Sequence, residues 1–256
     1  MSAPSPVRTN VLAESDAGAL ADWTNTVESW PVGSHVWGQY AEQITDRVAV
    51  CRTENVSACH PDIAALVAGP LRAIATDALG RPVDAFKDKI NYKHPGGAGF
   101  RAHQDRLAYP GVTDVLSILV AIDECTTESG CVWVADGVNE LLPTDDRGVV
   151  RSDVVASLRW EPAELAPGDA VLLGGLTPHY SEPNRGTQRR RVLVASYAPT
   201  REGYTRHEYY SARADVMRRA SEHDRRFRIS TLADFDGVEV AGDVPATDRC
   251  THPVVS

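Results

Sequence analysis

Apolar residues recur at helical spacing between residues 61 and 79. Ile63, Leu66, Val67, Leu71, Ile74 and Leu79 share one face, which predicts an amphipathic helix packed against a sheet. Pro61 suits a first turn and Gly80 a stop, while Pro70 inside the run predicts a kink or a division into two helices. Residues 11 to 30 predict an earlier helix, broken near Asp16–Gly18. From residue 82 the texture changes to short apolar and alternating runs at 83–93, 113–123, 131–135, 153–160, 169–174 and 190–198. Turn signals separate them at Pro95-Gly96-Gly97, Ser129-Gly130, Asp145–Gly148, Pro167-Gly168 and Asn184–Gly186. Helices followed by many short strands predict a mainly β protein with flanking helices, its core a cupin-like jelly roll, or double-stranded β-helix.

The expected organisation is a disordered start over 1–10, one domain over 11–240 and a loose tail over 241–256. Within the domain the pattern assigns helices to 11–80, the jelly roll to 82–200 and a helical segment to 201–240, where Tyr204, Tyr209, Tyr210 and Met217 pack inward. The hydrophobic share of 43% and charged share of 24% are those of a globular protein able to bury a full core. A net charge of −9 speaks against nucleic acid and anionic membranes as partners. The first ten residues lack the apolar stretch of a secretion signal, and no run is long enough to span a membrane. The expectation is a cytoplasmic monomer or homodimer acting on a small molecule. The five cysteines have no framework spacing and read as reduced thiols; Cys59-His60 lies near Cys51 but lacks a second pair for zinc.

The candidate chemistry centres on residues 87–105, KDKINYKHPGGAGFRAHQD. This stretch ends in His103-Gln104-Asp105. Residues two apart on a strand face the same way, so His103 and Asp105 can aim at one metal while Gln104 points away. The best third ligand is His179, in LTPHYSEPN. Two imidazoles and one carboxylate form the facial triad of non-haem Fe(II) oxygenases. Arg190 follows His179 by eleven residues in a strand-like run, as a planar clamp for a carboxylate. Alternation turns Arg189 and Arg191 to the opposite, solvent-facing side. Arg101, Tyr109, Trp133 and His94 are weaker candidates for a pocket lining, each with an ordinary core or surface reading beside it.

The motifs His103-Gln104-Asp105, Pro167-Gly168-Asp169, His179-Tyr180-Ser181-Glu182-Pro183-Asn184 and Arg190 together resemble the phytanoyl-CoA dioxygenase family of Fe(II)/2-oxoglutarate oxygenases. The segment KDKINYK, a glycine loop and HQD are most similar to its ectoine hydroxylase and 2-aminoethylphosphonate dioxygenase branches. The resemblance spans about residues 82 to 200. It implies Fe(II) held by His103, Asp105 and His179, with 2-oxoglutarate and O2 as cosubstrates. It implies Arg190 and Ser181 at the far carboxylate of 2-oxoglutarate. With Asp105 in place the implied outcome is hydroxylation rather than halogenation; desaturation, epoxidation and cyclisation use the same site. Family members often carry Pro-Gly-Ser-His where this chain has Asp136-Gly137-Val138-Asn139, so the family substrate does not transfer.

The chain has three lysines, Lys87, Lys89 and Lys93, against 23 arginines. With Asn91 they share one face of the 83–93 strand. Lys93 and Lys87 read as guards of a solvated edge strand. Lys89 and Asn91 read as binding groups, because the resemblance lays this strand along the cosubstrate pocket. They could meet a carboxylate of 2-oxoglutarate or an anionic substrate. Aminophosphonates, amino acids and natural-product intermediates all suit. The different-class alternative is a non-catalytic, cupin-like metal-binding domain, but the HxH and following Glu of cupins are missing, and cupins do not require Arg190.

Overall fold

All ten residues of Arg190–Pro199 are buried, because this strand is covered on both faces. Leu193, Ala195 and Tyr197 point to a layer of helices, while Val192 and Val194 point between two sheets. The computed structural model describes residues 7–8, 10–30, 38–109, 111–112, 114–200, 205–222, 229, 232 and 234–240. Its strands are β1 (Val7–Arg8), β2 (Gln39–Ile44), β3 (Arg47–Glu54), β4 (Val83–Lys93), β5 (Phe100–His103), β6 (Leu116–Ala121), β7 (Val132–Val134), β8 (Glu161–Ala163), β9 (Ala170–Gly174), β10 (His179–Ser181), β11 (Arg190–Pro199) and β12 (Val238–Val240). Its helices are α1 (Glu14–Glu28), α2 (Pro61–Ala68), α3 (Pro70–Leu79), α4 (Ser152–Ser157) and α5 (Arg206–Glu222).

The strands form two antiparallel sheets. The large one runs β1-β9-β6-β11-β4-β3-β2-β12 and the small one β5-β10-β7-β8. This is the expected β sandwich with flanking helices. Helices α1, α2 and α3 cover the outer face of the large sheet: Leu20, Ile63, Leu66 and Leu71 meet Ile90, Ile118, Leu193 and Tyr197. The apolar stripe at 61–79 is therefore core. Gly69 and Pro70 divide that run into α2 and α3, because proline has no N–H to continue the ladder, and Gly80 closes α3 at φ 67°. Between the sheets, Leu119, Ala121, Val134, Leu173, Val192 and Val194 form a second core. A third, with Tyr40, Phe86, Tyr109, Tyr209 and Tyr210, seats α5 against the end of the sandwich.

Several expectations are corrected. Helix α1 runs unbroken through Asp16–Gly18, since buried Leu20 and Val27 anchor it and Gly18 is exposed. Residues 153–160 are not a strand: α4 occupies Ser152–Ser157, and Trp160 Nε1 donates to Val155 O at 3.0 Å just beyond it. The 11–80 region contains the β2–β3 hairpin, which extends the large sheet. Val7–Arg8, expected to be disordered, pairs with Ala170–Val171. The 201–240 region ends in β12, paired with β2. Cys51, Cys125 and Cys131 are free and buried, whereas Cys59 is joined in a disulfide. Tyr204, the Met217 side chain and residues 241–256 lie outside the described residues.

Candidate active site

His103 ends β5 and His179 begins β10, and the two are direct cross-strand partners. Such pairs bring side chains on one face together, and here the imidazole centroids lie 4.3 Å apart. Gln104 keeps extended backbone at φ −122°, so alternation carries past the strand end and turns Asp105 back to the same side. Asp105 itself opens a short 3-10 turn rather than lying on a strand. One ligand atom from each of His103, Asp105 and His179 lies within 4.8 Å of the other two.

Each ligand is oriented from behind. His103 Nδ1 donates to Arg101 O at 2.7 Å and lies 3.1 Å from Asp234 Oδ2. His179 Nδ1 donates to Thr177 O at 3.0 Å. Both Nε2 atoms are thereby left as lone-pair donors. Burial, with the neighbouring His103, pushes His179 down to about 4, so it stays neutral and fit to ligate. Burial alone would raise Asp105, but the charges of His179, His103, Lys89 and Lys87 overcome it and hold the carboxyl below its ordinary range. Ser117 Oγ donates to Asp105 Oδ2 at 2.8 Å and lies 3.0 Å from Ser196 Oγ, its partner across β6 and β11. Gln104 points away as expected: its amide donates to Glu140 O and Leu176 O and accepts from Leu142 N, tying two loops to the ligand turn.

The triad opens into a cavity between the sheets. Arg190 lines it, and its Nε is buried without a hydrogen-bond partner among the described residues. Arg190 Nη2 donates to Gly130 O. Lys93, the register partner of Arg190, also donates to Gly130 O and reaches Ser181 Oγ at 2.8 Å. All three lysines line the cavity. The edge reading of Lys87 and Lys93 is therefore wrong. Strand β4 is interior, between β11 and β3, and both side chains are buried. Asn91 lines the cavity too, its carbonyl accepting from Arg52 Nε at 2.9 Å.

An N,N,O donor set of two imidazoles and one carboxylate suits Fe(II), and the orphaned Arg190 donor suits a carboxylate. Comparison with known proteins agrees. The phytanoyl-CoA dioxygenase family profile matches residues 7–192. The chain belongs to the phytanoyl-CoA dioxygenase family. It is an Fe(II)- and 2-oxoglutarate-dependent dioxygenase. Among its relatives, the methylphosphonate hydroxylase of Gimesia maris is 34% identical over 233 residues, covering 88% of each chain. The 2-aminoethylphosphonate dioxygenase of an uncultured bacterium, HF130_AEPn_1, is 34% identical over 206 residues, covering 78% of this chain and 79% of that protein. The crystal structure of AviO1 from Streptomyces viridochromogenes Tue57 shares the fold at a TM-score of 0.65 and 21% identity, over 78% of this chain and 91% of that one.

Within this family member the remaining candidates divide. Tyr109 lines the cavity. Trp133 does not: it stacks on Tyr180 at 6.0 Å. Arg101 pairs with Asp236 at 2.9 Å, and His94 Nε2 meets Val50 O at 3.1 Å. Arg189 and Arg191 do face away from Arg190, and of the two Arg189, 38% exposed, reaches solvent. Arg191 is buried and grips Asp123 through two 2.8 Å bonds, while Arg189 binds Glu28 at 2.7 Å. Sequence reasoning missed Lys93, Arg52, Ser117 and Asp234. The compositional oddity of the three lysines was the one available signal, and it pointed to the correct strand.

Proposed function

We propose that this enzyme hydroxylates a C–H bond of a small phosphonate. The observation that carries it is a cavity lined by Arg52, Lys87, Lys89, Lys93 and Arg190 in a protein of net charge −9. The lining carboxylates Glu42, Asp105 and Asp234 offset three of these cations, but with Fe(II) bound a single dicarboxylate cosubstrate still leaves an excess of positive charge, and buried charges need partners. An anionic substrate balances it. The two phosphonate-oxidising relatives point the same way.

On this reading His103 and His179, through Nε2, and Asp105 hold Fe(II). Arg190 takes the far carboxylate of 2-oxoglutarate, with Ser181 and Lys93 beside it and Asn91 on the same wall. Bound iron and 2-oxoglutarate supply the oxidising power, as O2 is consumed and succinate and CO2 are released with the hydroxylated product. The chain's own residues orient the ligands from Arg101 O, Thr177 O and Ser117 Oγ. The partners are small molecules; the net charge speaks against nucleic acid.

The test is succinate release from 2-oxoglutarate under air, with Fe(II), across methylphosphonate, 2-aminoethylphosphonate and a panel of amino acids. Stimulation by a phosphonate with formation of its hydroxylated product is the expected result. Stimulation by amino acids alone would defeat the substrate reading.

A further inference from the structure

The cations of the cavity fall into two groups with different surroundings. Lys93 feels Arg190 and Glu42, whereas Lys89 feels Arg52, Lys87, Asp105 and Glu54. Four residues separate Lys89 from Lys93, about 13 Å along a strand. Lys89 therefore belongs to the wall beside the metal ligands, not to the carboxylate clamp at Arg190.

Hydrogen bonding separates them further. Lys93 is held by Gly130 O, Ser181 Oγ and Glu182 O. Arg52 is committed to Asn91 and to Ile229 O, and lies 3.5 Å from Glu54 Oε1. Among the described residues Lys87 donates one hydrogen bond, to Tyr109 Oη at 3.2 Å, and lies over the Tyr109 and Tyr209 rings, leaving two N–H groups and the phenol proton of Tyr109 without an oxygen acceptor. Lys89 lines the cavity and makes no hydrogen bond or ion pair among the described residues. Burial, Arg52 and Lys87 push its ammonium well below the ordinary lysine range. A lining cation without an acceptor is unfavourable unless a ligand supplies one.

The charge balance and the donor count define that ligand. Arg52, Lys87 and Lys89, with Arg213 behind them, face Glu54 and the metal-binding Asp105, an excess that suits a dianion. Three unspent donor groups, on Lys89, Lys87 and Tyr109, match the three oxygens of a tetrahedral head better than the two of a carboxylate. We propose that Lys89, with Lys87 and Tyr109, forms the subsite for the substrate's phosphonate head, separate from the cosubstrate clamp at Arg190 and Lys93. The proposal rests on the oxygenase and phosphonate readings above, and it resolves the role of Lys89 in favour of the substrate.

Anaerobic protein carrying Fe(II) and 2-oxoglutarate is titrated with methylphosphonate and 2-aminoethylphosphonate. Calorimetric heat and the visible absorption band of the loaded site are followed. In the wild type, binding of either phosphonate with a shift of the band is expected. Lys89→Met keeps the band and its 2-oxoglutarate affinity within about twofold, and binds phosphonate at least tenfold more weakly. Lys89→Arg recovers part of the loss, and Tyr109→Phe weakens phosphonate binding about three- to tenfold. If Lys89→Met instead weakens 2-oxoglutarate and spares the phosphonates, the lysine belongs to the clamp and the proposal falls. A wild-type band with no phosphonate binding overturns the phosphonate subsite while the oxygenase reading stands. A wild type without the band defeats the oxygenase reading itself. Should Lys89→Met lose cooperative unfolding, Lys89→Arg and Tyr109→Phe decide: unchanged phosphonate affinity in both overturns the proposal.

Discussion

At the scale of single residues, neighbours on β11 have opposite tasks. Arg190 turns into the cavity with an unpartnered Nε, while Arg191 turns out and grips Asp123. Arg190→Ala is expected to weaken 2-oxoglutarate binding at least tenfold with little change in Fe(II) affinity, read by anaerobic titration. Arg191→Ala is expected to spare the cosubstrate and lower stability by about 3 kcal/mol, read by urea unfolding, because it strands a largely buried Asp123 carboxylate. If the two phenotypes exchanged, the facing of β11 would be wrong. Asp105→Ala and His179→Ala are each expected to abolish Fe(II) binding and turnover while the circular dichroism of the sheets survives. The ligands themselves were readable because His-x-Asp is a local pattern. The orienting groups were not: Ser117 lies 12 residues from Asp105, and Asp234 lies 131 from His103.

At the scale of elements, the segment after α5 contributes to the metal site. Asp234 is buried and reaches His103 Nδ1, and Phe235 packs on Phe100 with ring centroids 5.1 Å apart. Carboxylates behind a ligating imidazole raise its basicity and fix its ring, so Asp234→Asn is expected to weaken Fe(II) binding about tenfold or more. The titration that reads this needs no turnover, and an unchanged affinity would reduce Asp234 to packing. Strand β5 reaches β10 only because Gly99 has no side chain: a Cβ there would lie 2.1 Å from Ser181 O. Gly99→Ala is expected to cost about 1–3 kcal/mol and to loosen the His103–His179 pairing, seen as lower melting temperature and weaker iron binding together. The long elements were legible, because their period repeats. The six residues of α4 were not. Val154 and Val155 favour a strand by propensity, and a single turn and a half is too short to reveal its period.

At the scale of the whole molecule, iron and cosubstrate should act as staples between the two sheets. Anaerobic Fe(II) plus 2-oxoglutarate at about 100 times the dissociation constant is expected to add about 2.7 kcal/mol of stability, with a chelator reversing the rise in melting temperature. No shift in the wild type would mean that the native protein does not bind them. The fold class followed from the sequence because binary pattern and turn residues act locally: helical spacing at 61–79, alternating runs after 82, glycine and proline between them. The His103-x-Asp105 motif, and Arg190 eleven residues after His179, could be singled out as candidates because each signal spans only a few residues. What the tertiary structure alone decided is which strands are neighbours. Lys87 and Lys93 have the composition of an edge strand, yet β4 lies inside an eight-stranded sheet, with Lys93 opposite Arg190 across β11. The β2–β3 hairpin covers the other side of β4 and brings Arg52 to Asn91. Such pairings are long-range and depend on register. A short run of residues specifies how a strand alternates, but the rest of the chain determines what lies on either side of it.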